Sequence, residues 1–289
     1  MAPGTPLTDA IADLRGFCVE PEPRYNRVYS HMYGLQSFHA TQHDPALVGL
    51  LERMMGGKVL PHPRIIGRTI FPKREAYTTP PHQDFIPIQG TPQTYTAWFP
   101  LADLPAQMGG LMVSSGSHRH GIYRFKPALG AGGLQVTDEL EGPWVNNPMR
   151  QGDVLFFHSH AVHQGVPNRS DRLRMSMDLR YQRIDDPISP DSLMPHIKEV
   201  LTWDQIYADW PNDDYKYYWK AHQMQLVPFD TRYYDERDKL AMEIAGKGDA
   251  TARSALQRII ARDPDPGKVE RARQLLTSLD EPQQAGSHS

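Results

Sequence analysis

From residue 172 to residue 181 polar and apolar side chains alternate without a break. Arg172, Arg174, Ser176, Asp178 and Arg180 fall on one side of an extended chain, and Leu173, Met175, Met177, Leu179 and Tyr181 on the other. A period of two predicts a half-buried strand whose second face is polar. The apolar run Val154 to Phe157, bounded by Gly152-Asp153 and a cluster of histidines, predicts a buried strand, and residues 65–71 predict another. Short strands separated by Gly and Pro turns recur across residues 64–186, the signature of a jelly roll.

Helical patterns flank this region. Asp44-Pro45 ahead of an apolar-periodic stretch that stops at Gly56 reads as a capped helix, with Pro45 in its first turn. It assigns residues 1–63 to an N-terminal helical segment packed on the barrel. After Asp185-Asp186-Pro187 the character changes. Residues 201–222 hold Trp203, Tyr207, Trp210, Tyr215, Tyr217, Tyr218 and Trp219, which favours packing against the barrel over lining a substrate pocket. Residues 235–245, 252–262 and 268–279 have helical periodicity, so 187–280 forms a helical, aromatic-rich and charged extension. It is either a solvated appendage or a surface for homo-oligomer formation. Residues 281–289 read as a disordered tail.

Composition narrows the class. The chain has 289 residues, 39% hydrophobic content and a net charge of -3, enough to bury a sizeable core and without a basic stripe for nucleic acid. Cys18 is the single cysteine, so no intramolecular disulfide forms, and a reducing cytoplasm is expected. Neither a signal peptide nor a run of eighteen apolar residues is present, so no membrane partner is expected.

The candidate chemistry lies in His82-Gln83-Asp84 and in a histidine further on. Side chains i and i+2 of a strand share a face, so His82 and Asp84 reach one ion while Gln83 points away. With 13 His and 23 Asp, chance supplies about one His-x-Asp, so the spacing alone proves nothing. His158, His160 and His163 compete to be the third ligand. His163 is favoured because the site should lie past the strand end, before Gly165. It also has Arg174 eleven residues on, in the alternating strand, whereas the equivalent partner of His158, Arg169, sits in turn chemistry. His118 and His120 read as loop histidines. If the polar face of the 172–181 strand lines a barrel interior, Arg174 becomes a fixed guanidinium suited to clamp a carboxylate.

The His82-Gln83-Asp84 signature, Trp98 in Ala97-Trp98-Phe99-Pro100-Leu101, Gly109-Gly110-Leu111 leading into Ser115-Gly116-Ser117-His118, then Gly152-Asp153-Val154, His163-Gln164-Gly165 and Arg174 together resemble the phytanoyl-CoA dioxygenase family. The match is ordered and runs from about residue 64 to residue 183. The resemblance implies a mainly β fold with helical additions, built on a double-stranded β-helix (jelly-roll, cupin-like) core. It also implies iron(II) held by His82, Asp84 and His163, with 2-oxoglutarate as co-substrate and O2 as oxidant. Arg174 would take the distal carboxylate of 2-oxoglutarate. Trp98 and Ser176 match positions that approach the co-substrate, as does Arg68 or Thr69; Arg68 pairing with Asp178 is the alternative. The loop departs from the family pattern, with Gly109-Gly110 and Ser115-Gly116-Ser117-His118 where Asn-Gly and Pro-Gly-Ser-His are usual.

The expected activity is therefore an iron(II)- and 2-oxoglutarate-dependent dioxygenase. It would hydroxylate or otherwise oxidise a small molecule, a specialised metabolite by preference, with release of succinate and CO2. Asp84 fills the position that halogenating relatives leave to chloride. Two alternatives from other classes stand beside it: a zinc-dependent hydrolase on the same triad, and a non-catalytic cupin-like binding module.

Overall fold

The computed structural model describes residues 30–72, 78–128, 133–198 and 200–280. Cys18 and the 281–289 tail lie outside them. Its organising element is the alternating segment, which forms the ten-residue strand β10 (Arg174–Arg183). Labelled in chain order, β1 (Val59–Pro61) and β2 (Ile66–Ile70) lie end to end along one edge of β10, and β3 (Tyr95–Pro100) lies along the other, followed by β8 (Leu155–His158). A second sheet runs β7 (Trp144–Val145), β4 (Gly110–Ser114), β9 (His163–Val166), and β5 (Phe125–Pro127) pairs with β6 (Leu134–Val136) as a hairpin. All these pairings are antiparallel. The two sheets enclose Trp98, Leu104, Met108, Phe157 and Ala161.

The strand expected to be half-buried is buried on both faces. Met177, Leu179 and Tyr181 are covered by α1 (Gln36–Ala40) and α2 (Pro45–Met55) through Phe38, Leu47, Val48 and Leu51. The polar face turns to the interior. Asp44 caps α2 by accepting from the backbone N–H groups of Ala46 (2.9 Å) and Leu47 (3.2 Å), and Gly56 ends it at φ 69°. The expected boundary at residue 64 falls inside the main sheet, because β1 already pairs with Tyr181, Gln182 and Arg183. A three-residue strand carries too little pattern to be read from sequence.

The aromatic segment packs, as its composition suggested. Trp203, Tyr207, Trp210 and Trp219 bury against Leu60 and Ile188. The indole N–H groups of Trp203 and Trp210 donate to the carbonyls of Leu193 and Gly34, each at 2.9 Å. The charged extension is not a loose appendage. The helices α5 (Arg232–Gly246), α6 (Arg253–Arg262) and α7 (Pro266–Asp280), which follow the short α4 (Trp203–Tyr207), share a core of Ala245, Ala252, Leu256, Ile259, Ala272 and Leu275. Lys268 of α7 reaches back to Asp238 of α5 at 2.9 Å. Among the described residues, no helix is long and apolar enough to cross a membrane.

Gly109 shows how tightly the second sheet closes. It has φ 79°, and a Cβ there would meet the carbonyl oxygen of Val166 at 2.3 Å and that of Pro167 at 2.8 Å. Neither neighbour is a flexible side chain. Gly109→Ala is expected to destabilise the fold by about 2 kcal/mol or more, read from urea unfolding. Unchanged stability would show that this approach is not tight in solution.

Candidate metal centre

His82 and Asp84 project from one side of the segment that precedes α3 (Phe85–Ile88), and His163 opens β9. Backbone hydrogen bonds tie the two pieces directly: His82 N–H donates to His163 O at 2.9 Å and His163 N–H to His82 O at 3.0 Å. One ligand atom from each of His82, Asp84 and His163 lies within 4.8 Å of the others, and all three side chains are buried. Among the described residues no other trio of His, Cys, Asp or Glu meets so closely. His158 packs edge-on to Tyr95 and His160 edge-on to Phe85, as bystanders at the strand end. His118 and His120 sit on an exposed turn.

The tautomers are assigned by the hydrogen bonds. His82 Nδ1–H donates to Pro80 O at 2.8 Å and His163 Nδ1–H to Ala161 O at 3.0 Å, which leaves both Nε2 lone pairs unprotonated. Those Nε2 atoms stand 3.8 and 3.9 Å from Asp84 Oδ1. Burial lowers the His82 pKa to about 3 and also lowers that of His163, so both rings are neutral near pH 7. Burial works to raise the Asp84 pKa. Arg180, the two histidines and the Thr96 hydrogen bond outweigh it and hold the carboxyl well below the usual range.

Both oxygens of Asp84 are engaged. Arg180 Nη2 approaches Oδ1 at 3.2 Å, and Thr96 Oγ1 donates to Oδ2 at 2.8 Å. The β3–β10 register explains the pair, since Thr96 stands opposite Arg180. Neither residue carried a role in the sequence reading. The signal was present as strand parity, because Arg180 shares the polar face of Arg174 and Thr96 the face of Trp98.

The same face carries the other expected residues. Arg174 is buried, and its Nη1 donates to Gly110 O at 2.9 Å and Val166 O at 3.3 Å; burial, with Arg68 nearby, lowers its pKa to about 10. Its Nε, Ser176 Oγ and Trp98 Nε1 are buried without a hydrogen-bond partner. Arg68 Nε instead donates to Asp178 Oδ2 at 2.6 Å, which is the alternative the sequence offered for it. Thr69 Oγ1 is also buried without a partner.

A separate cavity of about 790 Å³ lies against α3, the helix that follows the ligand segment. Phe85, Ile86, Ile122, Phe125 and the α5 residue Tyr233 are among its walls, and none of His82, Asp84 and His163 reaches it.

Comparison with known proteins supplies context for this geometry. The sequence profile described as Phytanoyl-CoA dioxygenase (PhyH) matches residues 24–176. Over 121 residues the chain is 36% identical to 1-deoxypentalenic acid 11-beta-hydroxylase of Streptomyces exfoliatus, covering 37% of this chain and 42% of that protein. The match thus spans less than half the length of that relative. Phytanoyl-CoA dioxygenase domain-containing protein 1 of Bos taurus is 25% identical over 203 residues, 66% of this chain and 69% of that one. Among solved structures, the epimerase SnoN in complex with Fe3+, alpha ketoglutarate and nogalamycin RO superposes with a TM-score of 0.46 at 24% identity, over 55% of this chain and 64% of that chain. The apo non-heme monooxygenase ThoJ gives a TM-score of 0.45 at 16% identity, over 86% and 80% of the respective chains.

Two outcomes follow from the electrostatics. Arg180→Met strands a buried carboxylate and is expected to cost the metal-free protein about 3–5 kcal/mol, with Asp84→Asn in the same chain recovering most of it. Additive losses in chemical denaturation would contradict the pairing. Second, His39, His62 and His82 have folded pKa values lowered, chiefly by burial, to about 4, 3 and 3. The unfolded chain therefore takes up protons as pH drops through about 6.5, while the folded chain does so only near those lower values. Stability is present above pH 6.5 and declines below it, by about 2 kcal/mol per such histidine at pH 5. Urea midpoints at pH 7 and pH 5 check this, and equal midpoints would refute it.

Proposed function

The chain belongs to the phytanoyl-CoA dioxygenase family, and on that footing we propose that it is an iron(II)- and 2-oxoglutarate-dependent dioxygenase acting on a small molecule. The observation that carries the reading is the conjunction of two neutral imidazoles and one carboxylate with a buried arginine on the same barrel interior. The donor set fits iron(II): two Nε2 lone pairs and one carboxylate oxygen would hold the ion and leave positions for other ligands. The orphaned atoms fit a diacid co-substrate. Arg174 Nε and Ser176 Oγ are buried polar groups whose burial is costly until something accepts from them. Trp98 Nε1 is a third donor in the same condition. A zinc hydrolase, which needs only the triad and water, gives these donors nothing to do.

When bound, iron(II) supplies the redox chemistry that couples reduction of O2 to decarboxylation of 2-oxoglutarate, giving succinate and CO2, and to oxidation of the substrate. The protein's share is placement. His82 and His163 present neutral donors because their Nδ1–H groups are held by Pro80 and Ala161. Thr96 and Arg180 fix the rotation of Asp84, so one oxygen faces the histidines. Arg174, itself steadied by two backbone carbonyls, binds the distal carboxylate through its remaining N–H groups. Burial of this polar set keeps bulk water from the reacting groups.

The substrate we favour is a specialised metabolite. Support comes from the likeness to 1-deoxypentalenic acid 11-beta-hydroxylase.

Anaerobic reconstitution with iron(II) and 2-oxoglutarate, followed by oxygen, tests the activity. Succinate is expected from the wild type and absent from His82→Ala and Asp84→Ala. Arg174→Ala is expected to raise the KM for 2-oxoglutarate about a hundredfold. Succinate formation that survives loss of His82 or Asp84 would refute the assignment.

A further inference from the structure

Gln83 stands between His82 and Asp84 yet takes no part in the triad. Its side chain is 1% exposed, and its carboxamide is fully used. Nε2 donates to Gly121 O at 2.8 Å and to His160 O at 2.6 Å, while Oε1 accepts from the Tyr123 N–H at 2.9 Å. Two carbonyl acceptors on one side and an N–H donor on the other define the amide orientation. One side chain thus joins three pieces of chain: the ligand segment, the 121–123 loop 38 to 40 residues on, and the turn 77 residues on that leads into His163. The turn is also held by Phe85 N–H donating to Ser159 O at 3.1 Å. The loop is part of a cavity wall through Ile122.

We propose that Gln83 is a positioning residue that couples metal occupancy of the His82, Asp84 and His163 triad to the order of the 121–123 loop, and through Ile122 to the wall of the 790 Å³ cavity. This rests on the metal-centre reading above. The physical argument is one of shared anchorage. An ion that holds His82 and Asp84 against His163 fixes the backbone of Gln83 between them and fixes the turn that receives one of its hydrogen bonds. The loop then hangs from a carboxamide whose root and far support no longer move relative to each other. Coupling of this kind is reciprocal, so whatever order the metal gives the loop, the loop returns as metal affinity. Leucine removes all three hydrogen bonds. Glutamate keeps the shape but, when ionised, offers only acceptors to the two carbonyls and forfeits both donations.

Mn(II) serves as the probe, with binding read from the loss of the free-ion signal in electron paramagnetic resonance. Trypsin reads the loop, because the exposed residues Arg119 and Arg124 flank it. In the full-length wild type, saturating Mn(II) is expected to slow cleavage at these two sites about fivefold or more. Gln83→Leu and Gln83→Glu, each checked for folding by circular dichroism, are expected to bind Mn(II) about tenfold more weakly, a change of about 1.4 kcal/mol. At saturation their cleavage is expected to be unaffected by the metal. A residue that merely supports the fold would lower the melting temperature while leaving the metal's effect on cleavage intact, and that result would overturn the proposal. So would Mn(II) binding to the wild type without any slowing. Absence of Mn(II) binding to the wild type would instead remove the metal-centre reading, and the coupling with it.

Discussion

A carboxylate buried as deeply as Asp84 has to be compensated, and much of the barrel interior is arranged around that requirement. Arg180 supplies the opposite charge and Thr96 a hydrogen bond, so the aspartate is ionised before any cation arrives. The same low-dielectric setting keeps His82 and His163 neutral, because an imidazolium is penalised there. Three donors in their metal-competent protonation states are thus a product of burial combined with one ion pair. Moving the site toward solvent would weaken both effects together.

Three arginines face the interior, and their partners divide the labour. Arg180 is committed to Asp84, and Arg68 to Asp178 through its Nε. Arg174 instead donates to two carbonyl oxygens of the second sheet, which steady the guanidinium without carrying a formal charge. Guanidinium groups of equal formal charge therefore differ in what they have to offer an incoming anion. Gly110, one of those carbonyl donors of steadiness, follows the glycine whose backbone closes against Val166, so the sheet's tight approach and the placement of Arg174 are linked.

Much of this was legible in the residues. The period-two run predicted β10 and grouped Arg174, Ser176 and Asp178 on one face, but parity alone left open whether that face was wet; burial of both faces answers it. Asp44, Pro45 and Gly56 announced the limits of α2 through capping chemistry that is local. His82 and Asp84 do come together, though not as strand neighbours: His82 bridges to His163 and Asp84 already has helical backbone angles at the start of α3, so the i, i+2 spacing found the pair by a geometry the fold does not use. What could not be read depends on register between distant segments. The roles of Arg180 and Thr96 emerge only when β3 lies antiparallel to β10, and those of Gln83 only when residues 38 to 77 positions away come to it. The short β1 escaped for a related reason, since its partner in β10 lies far along the chain.

The cavity beside the ligand segment has two kinds of wall. Phe85 and Ile86 belong to the barrel, while Tyr233, Asp235, Glu236 and Lys239 ride on a helix of the carboxy-terminal bundle, which keeps a core of its own. The chamber's dimensions are therefore governed by how a self-supporting module leans on its host. A change at that seam therefore reshapes the chamber without touching His82, Asp84 or His163.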